Sequence, residues 1–323
     1  MQPLSQSHLS LLENCPRRYQ YVFFDALSGP TSFDQQMRAQ WGKQFHLLMQ
    51  QRALNLPVDA LFEADAEMAQ SVAALVEAAT DSLPEPSIAS DSTISAVLQA
   101  NSMPALENAV SVGEPFSQSE HRRTLAFNGY LLTVVYDRVV VKTTEIGVQG
   151  EILDWKTYPK PPKKAWLAQD WQTRLYLYVL CETTPLLPEQ ISMTYWFVRQ
   201  GRPSPDFAVS SAASDSDASS SLDKPSAYRF QYSLDKHDQT RRDLAELTDG
   251  LSKMMARSHF PMVDIGLGRC DRCPFNVRCD LSDDTFGPRR SERLSPHTLA
   301  NQSQHLLQTA RQLNLDTVEE IPL

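Results

Sequence analysis

The chain has 323 residues, 41% of them hydrophobic and 21% charged, which is enough apolar mass for a packed core and too much polarity for a membrane protein. Thirty basic residues against 39 acidic ones give a net charge of −9 and a pI near 5.3. That balance excludes a generic basic nucleic-acid coat, but not an enzyme whose positive charge is local or comes from metal ions. No run reaches the roughly 20 apolar residues of a spanning helix; the best stretch, Tyr130 to Val141, is broken by Asp137 and Arg138. The first residues have no basic region leading into a long apolar one, so the expectation is a cytoplasmic protein with no membrane association.

In chain order, residues 4–26 predict a short helix, apolar at Leu9, Leu11, Leu12, Tyr19, Val22 and Phe23, with Pro16 near its middle. A second helix is predicted over 34–54, where Trp41, Phe45, Leu48 and Met49 form one stripe. An alanine-rich helix over 60–80 ends before Pro84 and Pro86, and a further one is expected near 93–108, so that about 57–110 reads as a helical insertion. The pattern then changes. Residues 116–127, 130–142 and 149–157 are rich in Val, Leu, Thr, Tyr and Phe and predict three consecutive antiparallel strands. Asn128-Gly129 marks the first turn, and Gly147 and Gly150 the second.

A Pro/Lys segment, 159–164, leads into a predicted helix at 165–182, strands near 191–199 and 227–233, and a helix at 235–257. Residues 210–223 contain 7 Ser, 3 Ala and 3 Asp in 14 positions and cannot bury a core; a disordered loop is expected over about 204–225. The order of elements implies an α/β (α+β) domain with a mixed sheet flanked by helices over 1–281. A polar tail, 282–323, follows, with one possible helix at 296–313.

The most informative local pattern is Asp154-Trp155-Lys156. Residues two apart on a strand face the same side. With a turn near 145–147, Asp137 of the preceding strand comes roughly opposite Asp154. Two carboxylates and a lysine then converge, and like charges that close repel unless a cation lies between them. Oxygen ligands suit Mg2+ or Mn2+. The bland reading of a single D-x-K is a cross-strand salt bridge. A glycosidase acid–base pair would leave the lysine unexplained. Glu120 on the first strand reads as a surface charge rather than a site carboxylate.

Six features in order resemble the PD-(D/E)XK nuclease superfamily, in its RecB-like branch. They are Ser5, Ser7 and Leu9 leading to Cys15-Pro16-Arg17-Arg18-Tyr19; Gly42 to His46; Asp137; Asp154 to Lys156; Gln172 to Tyr176; and a terminal cysteine triplet. That branch includes the AddB nuclease domain and the CRISPR-associated exonucleases with an iron–sulfur cluster. The resemblance implies a restriction-endonuclease-like fold with a helical insertion. It assigns Asp137, Asp154, Lys156, Gln172 and Tyr176 to the catalytic site, and His46, Asp137, Asp154 and the Trp155 carbonyl to metal. The family often has Gly three residues before the strand aspartate, where this chain has Val134.

Five cysteines are too few for a disulfide scaffold of this length. Cys270, Cys273 and Cys279 with the distant Cys15 offer four thiolates, which suit a [4Fe–4S] cluster or a structural zinc. The resemblance favours the cluster, holding the N- and C-terminal segments together. Cys181 is expected to be a small packed residue in the middle helix.

The implied partner is DNA, single-stranded or at ends, with a possible helicase or repair partner. Lys160, Lys163, Lys164, Arg17, Arg18, Arg122, Arg123, Arg138, Lys142 and Arg174 are candidates for phosphate contacts, and Tyr158, Trp166 and Trp171 for stacking, although Trp171 also reads as core. The expected activity is metal-dependent exonucleolytic hydrolysis of DNA phosphodiesters. The alternative is a non-catalytic DNA-binding or structural subunit of a helicase–nuclease or repair complex.

Overall fold

The computed structural model describes residues 1–29, 31–80, 83, 116–145, 147–157, 161–198, 225–271 and 273–282. The helix expected at 93–108, the serine-rich loop and the tail helix at 296–313 lie outside these residues. The chain divides into two compact units, Met1–Val263 and Asp264–Leu323.

The first unit is built on a six-stranded mixed sheet. Its strands are β1 (Gln2–Leu4), β2 (Phe116–Phe127), β3 (Tyr130–Thr144), β4 (Gly147–Lys156), β5 (Ile191–Phe197) and β6 (Ser226–Gln231). Antiparallel β2 pairs with β3 from Phe127↔Tyr130 to Phe116↔Val141, and so occupies one edge of β3. The other edge of β3 is shared. Parallel β1 takes residues 130–132, and antiparallel β4 takes residues 138–144. Parallel β5 lies beyond β4, and antiparallel β6 closes the order. The short β1 is invisible to periodicity because three residues carry no period.

The expected helix over 4–26 is two helices, α1 (Gln6–Asn14) and α2 (Pro16–Phe23). Pro16 starts α2 at its first position, where a missing N–H costs nothing. Helix α3 (Phe33–Ala53) begins at Ser32, whose hydroxyl accepts from the Gln35 amide while Gln35 accepts from the Ser32 amide. The alanine-rich segment splits into α4 (Asp59–Ala64) and α5 (Ala66–Ala78), because Asp65 caps α5 by accepting from Met68 N. Asp170 likewise divides the helix expected at 165–182 into α6 (Lys164–Gln169) and α7 (Trp171–Glu182). Helix α8 (Leu234–Ala256) follows β6.

One face of the sheet packs on α1, α2, α7 and α8 around Leu9, Tyr19, Tyr136, Leu175, Tyr195 and Leu244. The other face packs on α3 and α5 around Phe45, Leu48, Val72, Leu75, Leu153 and Trp155. Val134, at the position where the resemblance expects glycine, is buried in the first of these cores. Trp171 is buried, and Cys181 packs against the same core.

Strand alternation slips once. Leu132, Val134 and Tyr136 face the α7 side, and so do Val139 and Val141, so the phase shifts by one residue between Tyr136 and Val139. Strand β2 shifts with it: Phe116, opposite Val141, joins the core on which His121, opposite Tyr136, stacks. Glu120 lies at the slip with a φ of 52°, the left-handed region that non-glycine residues seldom adopt.

Among the described residues, the second unit contains a 3-10 turn at Ile265–Leu267, capped by Asp264 accepting from Gly266 N, and then α9 (Asn276–Ser282). Cys270 and Cys273 share one tight turn, in which the Cys273 amide donates to the Cys270 carbonyl at 3.1 Å. Cys279 is buried on α9.

A buried basic pair on β2 ties the sheet to α7. Arg123 is 2% exposed and donates to the carbonyl of Thr183, the C-cap of α7, where a positive charge is favourable. Its Nε also donates to His121 Nε2 at 3.1 Å, so the His121 proton sits on Nδ1, which donates to Gln118 Oε1 at 2.7 Å. Burial, reinforced by the Arg123 charge, lowers the His121 pKa to about 4. The unfolded chain therefore binds this proton more tightly than the folded one. Stability should be highest above the ordinary histidine pKa and fall as pH drops toward 4. Urea unfolding at pH 7 and pH 5 should show a loss of about 1–2 kcal/mol in the wild type that His121→Gln largely removes; an equal loss in both would refute this account.

Candidate active site

The site forms where β3 and β4 part. Their ladder ends at Arg138↔Leu153, so Asp137 and Asp154 are the next residues on the two separating strands. The turn count made from the sequence placed them opposite each other, and the register agrees. Instead of a further ladder bond, the Trp155 amide donates to Asp137 Oδ2 at 2.7 Å. The N–H and C=O of one strand residue point to the same edge, so the Trp155 carbonyl faces this gap too. The Lys156 carbonyl faces the other edge, where it accepts from Val198 N at 2.8 Å.

Asp154 is 2% exposed and lies on the α7 side of the gap. Lys156 Nζ is 2.6 Å from its Oδ1, which gives this buried oxygen an ion-pair partner. Gln172, set by the Asp170 cap at the start of α7, closes the network. Its Nε2 donates to Asp154 Oδ2 at 2.5 Å, and its Oε1 accepts from Lys156 Nζ at 2.8 Å. The Lys156 ammonium also lies over the Tyr195 ring, 5.2 Å from its centre. Burial raises the Asp154 pKa, Asp137 raises it further, and Lys156 opposes both.

Tyr176 is one turn beyond Gln172 and buried, and its phenol pKa is raised by burial first and then by Asp154 and Asp137. Its backbone carbonyl accepts from Tyr136 Oη at 3.1 Å, and the two rings meet edge to face. This fixes α7 against β3.

His46 approaches from α3 on the opposite face. Its Nδ1 is 3.2 Å from Asp137 Oδ1. Burial lowers the imidazole pKa, but the Asp137 hydrogen bond and charge more than offset this, so the net shift is upward. Gly42, one turn earlier, permits this approach. A Cβ there would lie 3.0 Å from Thr157 Oγ1 at the end of β4.

The sequence-predicted residues fall into two adjoining groups. Asp154, Lys156 and Gln172 form one bonded network. His46 and Asp137 form the other, and their third member is Glu120: one donor atom from each lies within 4.8 Å of the others. Glu120, read from the sequence as a surface charge rather than a site carboxylate, is exposed and lies beside them. Counting back from Asn128-Gly129 places it across from Asp137, since Phe127 pairs with Tyr130. The imidazole and carboxylate donors and the repulsion between neighbouring carboxylates suit a hard divalent cation.

Several arginines proposed for phosphate contacts have other work. Arg123 caps α7. Arg174 pairs with Asp243 and stacks on Trp171. Arg17 donates through Nε to the Phe260 carbonyl and Arg138 through Nε to Ser117 Oγ. Lys163, Lys164 and Trp166 are exposed on the segment after β4. Lys160 and Tyr158 lie outside the described residues. No helix among the described residues is long and apolar enough to cross a membrane.

The Gly42 contact yields a size test. Gly42→Ala gains about 1 kcal/mol of helix propensity against one tight contact with a rotatable hydroxyl, so its stability should stay near wild type. Gly42→Leu should cost about 1–3 kcal/mol by overpacking. Denaturant midpoints for both variants check this, and a neutral Leu variant would show that α3 is not held close at this point.

The family model described as the PD-(D/E)XK nuclease superfamily matches residues 3–280. No curated protein sequence matches the chain. Among solved structures, the crystal structure of SSO0001 shares 14% identity, covers 86% of each chain and has a TM-score of 0.33. A provisionally named exonuclease from Eubacterium rectale shares 11% identity over 89% of this chain and 90% of its own, with a TM-score of 0.37.

Proposed function

The chain belongs to the PD-(D/E)XK nuclease superfamily, and from this premise we propose that it is a divalent-metal-dependent deoxyribonuclease of the RecB-like type, acting on single-stranded DNA or DNA ends in processing or repair. The observation that carries this reading is the Asp154–Lys156–Gln172 network set against Asp137 at the parting of β3 and β4.

In this reading His46, Asp137, Asp154 and the Trp155 carbonyl hold Mg2+ or Mn2+. The bound ion supplies Lewis acidity and an acidified water. The chain's own groups do the rest. Asp154 and Gln172 hold the Lys156 ammonium in place and keep it from folding away into solvent. From there it can orient a water or balance charge on an attacked phosphate. Gln172 acts on Lys156 and Asp154 rather than on substrate. Tyr176 supports it by locking α7 to β3. Lys163 and Lys164 offer phosphate contacts without sequence readout, and Trp166, 60% exposed, offers a stacking face.

The second part of the proposal is a [4Fe–4S] cluster on Cys15, Cys270, Cys273 and Cys279. Four thiolates suit it, and none of the five cysteines is in a disulfide. Structural zinc is the other occupant this donor set would take. Protein purified without oxygen should be brown with absorbance near 400 nm, and Cys273→Ser should lose that colour. A colourless wild type carrying zinc would replace the cluster with a zinc site.

The activity is tested with end-labelled single- and double-stranded DNA and Mn2+. Asp154→Ala should lower the cleavage rate about a hundredfold or more while DNA binding stays within a few-fold. A wild type that binds DNA and does not cut it, alone or with partners, would instead establish a non-catalytic subunit.

A further inference from the structure

Arg52 and Arg138 converge on the α3 side of the sheet. Arg138 pairs with Leu153, which is buried in the core under α3, and strand partners share a face, so the Arg138 side chain points toward α3. Arg52 follows Leu48 and Met49 on α3 by one helical turn, and both of those are buried against the sheet. Residues three and four apart share a helix face, so Arg52 points toward the sheet. The two guanidinium charges are close enough to repel each other.

This convergence has no countercharge. Among the described residues, neither side chain is in an ion pair. Yet the chain has 39 acidic residues against 30 basic ones, and Arg174 and Lys156 both find carboxylates. The C-terminal turn of α3 favours a cation at Arg52, but that accounts for one guanidinium and not for a second beside it. Arg138 is also held in place. Its Nε donates to Ser117 Oγ at 2.9 Å, and its terminal N–H groups have no partner among the described residues. One bond thus fixes the fork and leaves its broad end for a ligand.

The position is beside the site rather than in it. Arg138 directly follows Asp137 and makes the last ladder pair before the gap. Arg52 lies beyond His46 on α3, about 9 Å farther along the helix axis. We propose that Arg52 and Arg138 form a phosphate clamp, which grips a backbone phosphodiester of the substrate strand next to the one under attack. This rests on the nuclease reading for the identity of the ligand. Two planar forks suit one phosphate, because each can donate to two of its oxygens. Such a contact reads no bases; it fixes the register of the strand against Asp137 and Lys156.

The test is binding of single-stranded oligonucleotides to the full chain, by fluorescence anisotropy with Mn2+, in the Asp154→Ala background. Each oligonucleotide carries one neutral methylphosphonate, moved stepwise along the strand, and is made with and without a terminal phosphate. One internal position should weaken binding about tenfold. Adding Arg52→Gln should weaken binding of the unmodified strand by about as much, lower the salt slope by about 0.7, and remove the penalty at that position. Arg52→Lys should keep the salt slope and not recover the full affinity, since it keeps the charge and loses the fork. Arg52→Gln should leave the thermal midpoint near that of its parent; a lower midpoint with unchanged DNA binding would assign Arg52 to the fold and overturn the clamp. A methylphosphonate penalty that persists in Arg52→Gln overturns it too, and a wild type that still cuts DNA then keeps the nuclease reading. Arg52-dependence confined to strands with a terminal phosphate would overturn the backbone assignment in favour of an end clamp. Arg52-dependent binding in a wild type that never cuts would retain the clamp and remove the nuclease. No DNA binding by either the wild type or the Asp154→Ala protein would overturn both.

Discussion

A side-chain carboxylate occupying the place of a main-chain hydrogen bond organises this protein. Asp137 accepts from the Trp155 amide just past the last ladder pair of β3 and β4. A buried amide must find an acceptor, and this one finds it on a side chain that also reaches His46. The parting strands are thereby stabilised, and the gap holds its shape. Strand β1 takes the first residues of β3 on the same edge, so the opening lies between two paired segments rather than at a frayed end.

That opening gathers charge that a packed interior otherwise excludes. Asp154 is nearly inaccessible, and its desolvation is offset by Lys156 and Gln172. Helix α7 delivers Gln172 at its first turn because Asp170 caps the helix there, and Tyr176 binds the next turn to Tyr136 on β3. Helix α3 delivers His46 from the other face because Gly42 lets it approach the end of β4. The helices that deliver Gln172 and His46 are thus set by packing of their own, whereas Asp137 is itself part of the strand pairing.

The architecture was largely legible in the sequence. Period-two segments around Asn128-Gly129 fixed β2 and β3, and a turn count brought Asp137 to Asp154. Helix breaks were less legible. Cys15-Pro16, Asp65 and Asp170 each divide a stretch that periodicity reads as continuous, because one cap residue outweighs a persisting apolar stripe. The nearness of Glu120 to Asp137 was countable from the Asn128-Gly129 turn, whereas the phase slip at that point, where Glu120 takes a positive φ, leaves no mark in the turn residues. The arginines show the opposite error. Their charge suggested phosphate contacts, but Arg123 and Arg174 are committed to a helix end and to Asp243.

The charge balance has a consequence for how a polyanion could approach. The chain carries a net charge of −9, and the gap adds Glu120, Asp137 and Asp154 against Lys156 and His46. A phosphodiester entering this gap meets carboxylates that lie closer together than any screening length in physiological salt, about 8 Å, so bulk salt cannot hide them. On the nuclease reading, a cation held by His46, Asp137 and Asp154 would add positive charge to that of Lys156 and would supply an acidified water. Substrate entry and chemistry then share one requirement, while contacts farther along the strand, at Lys163 and Lys164, remain independent of it.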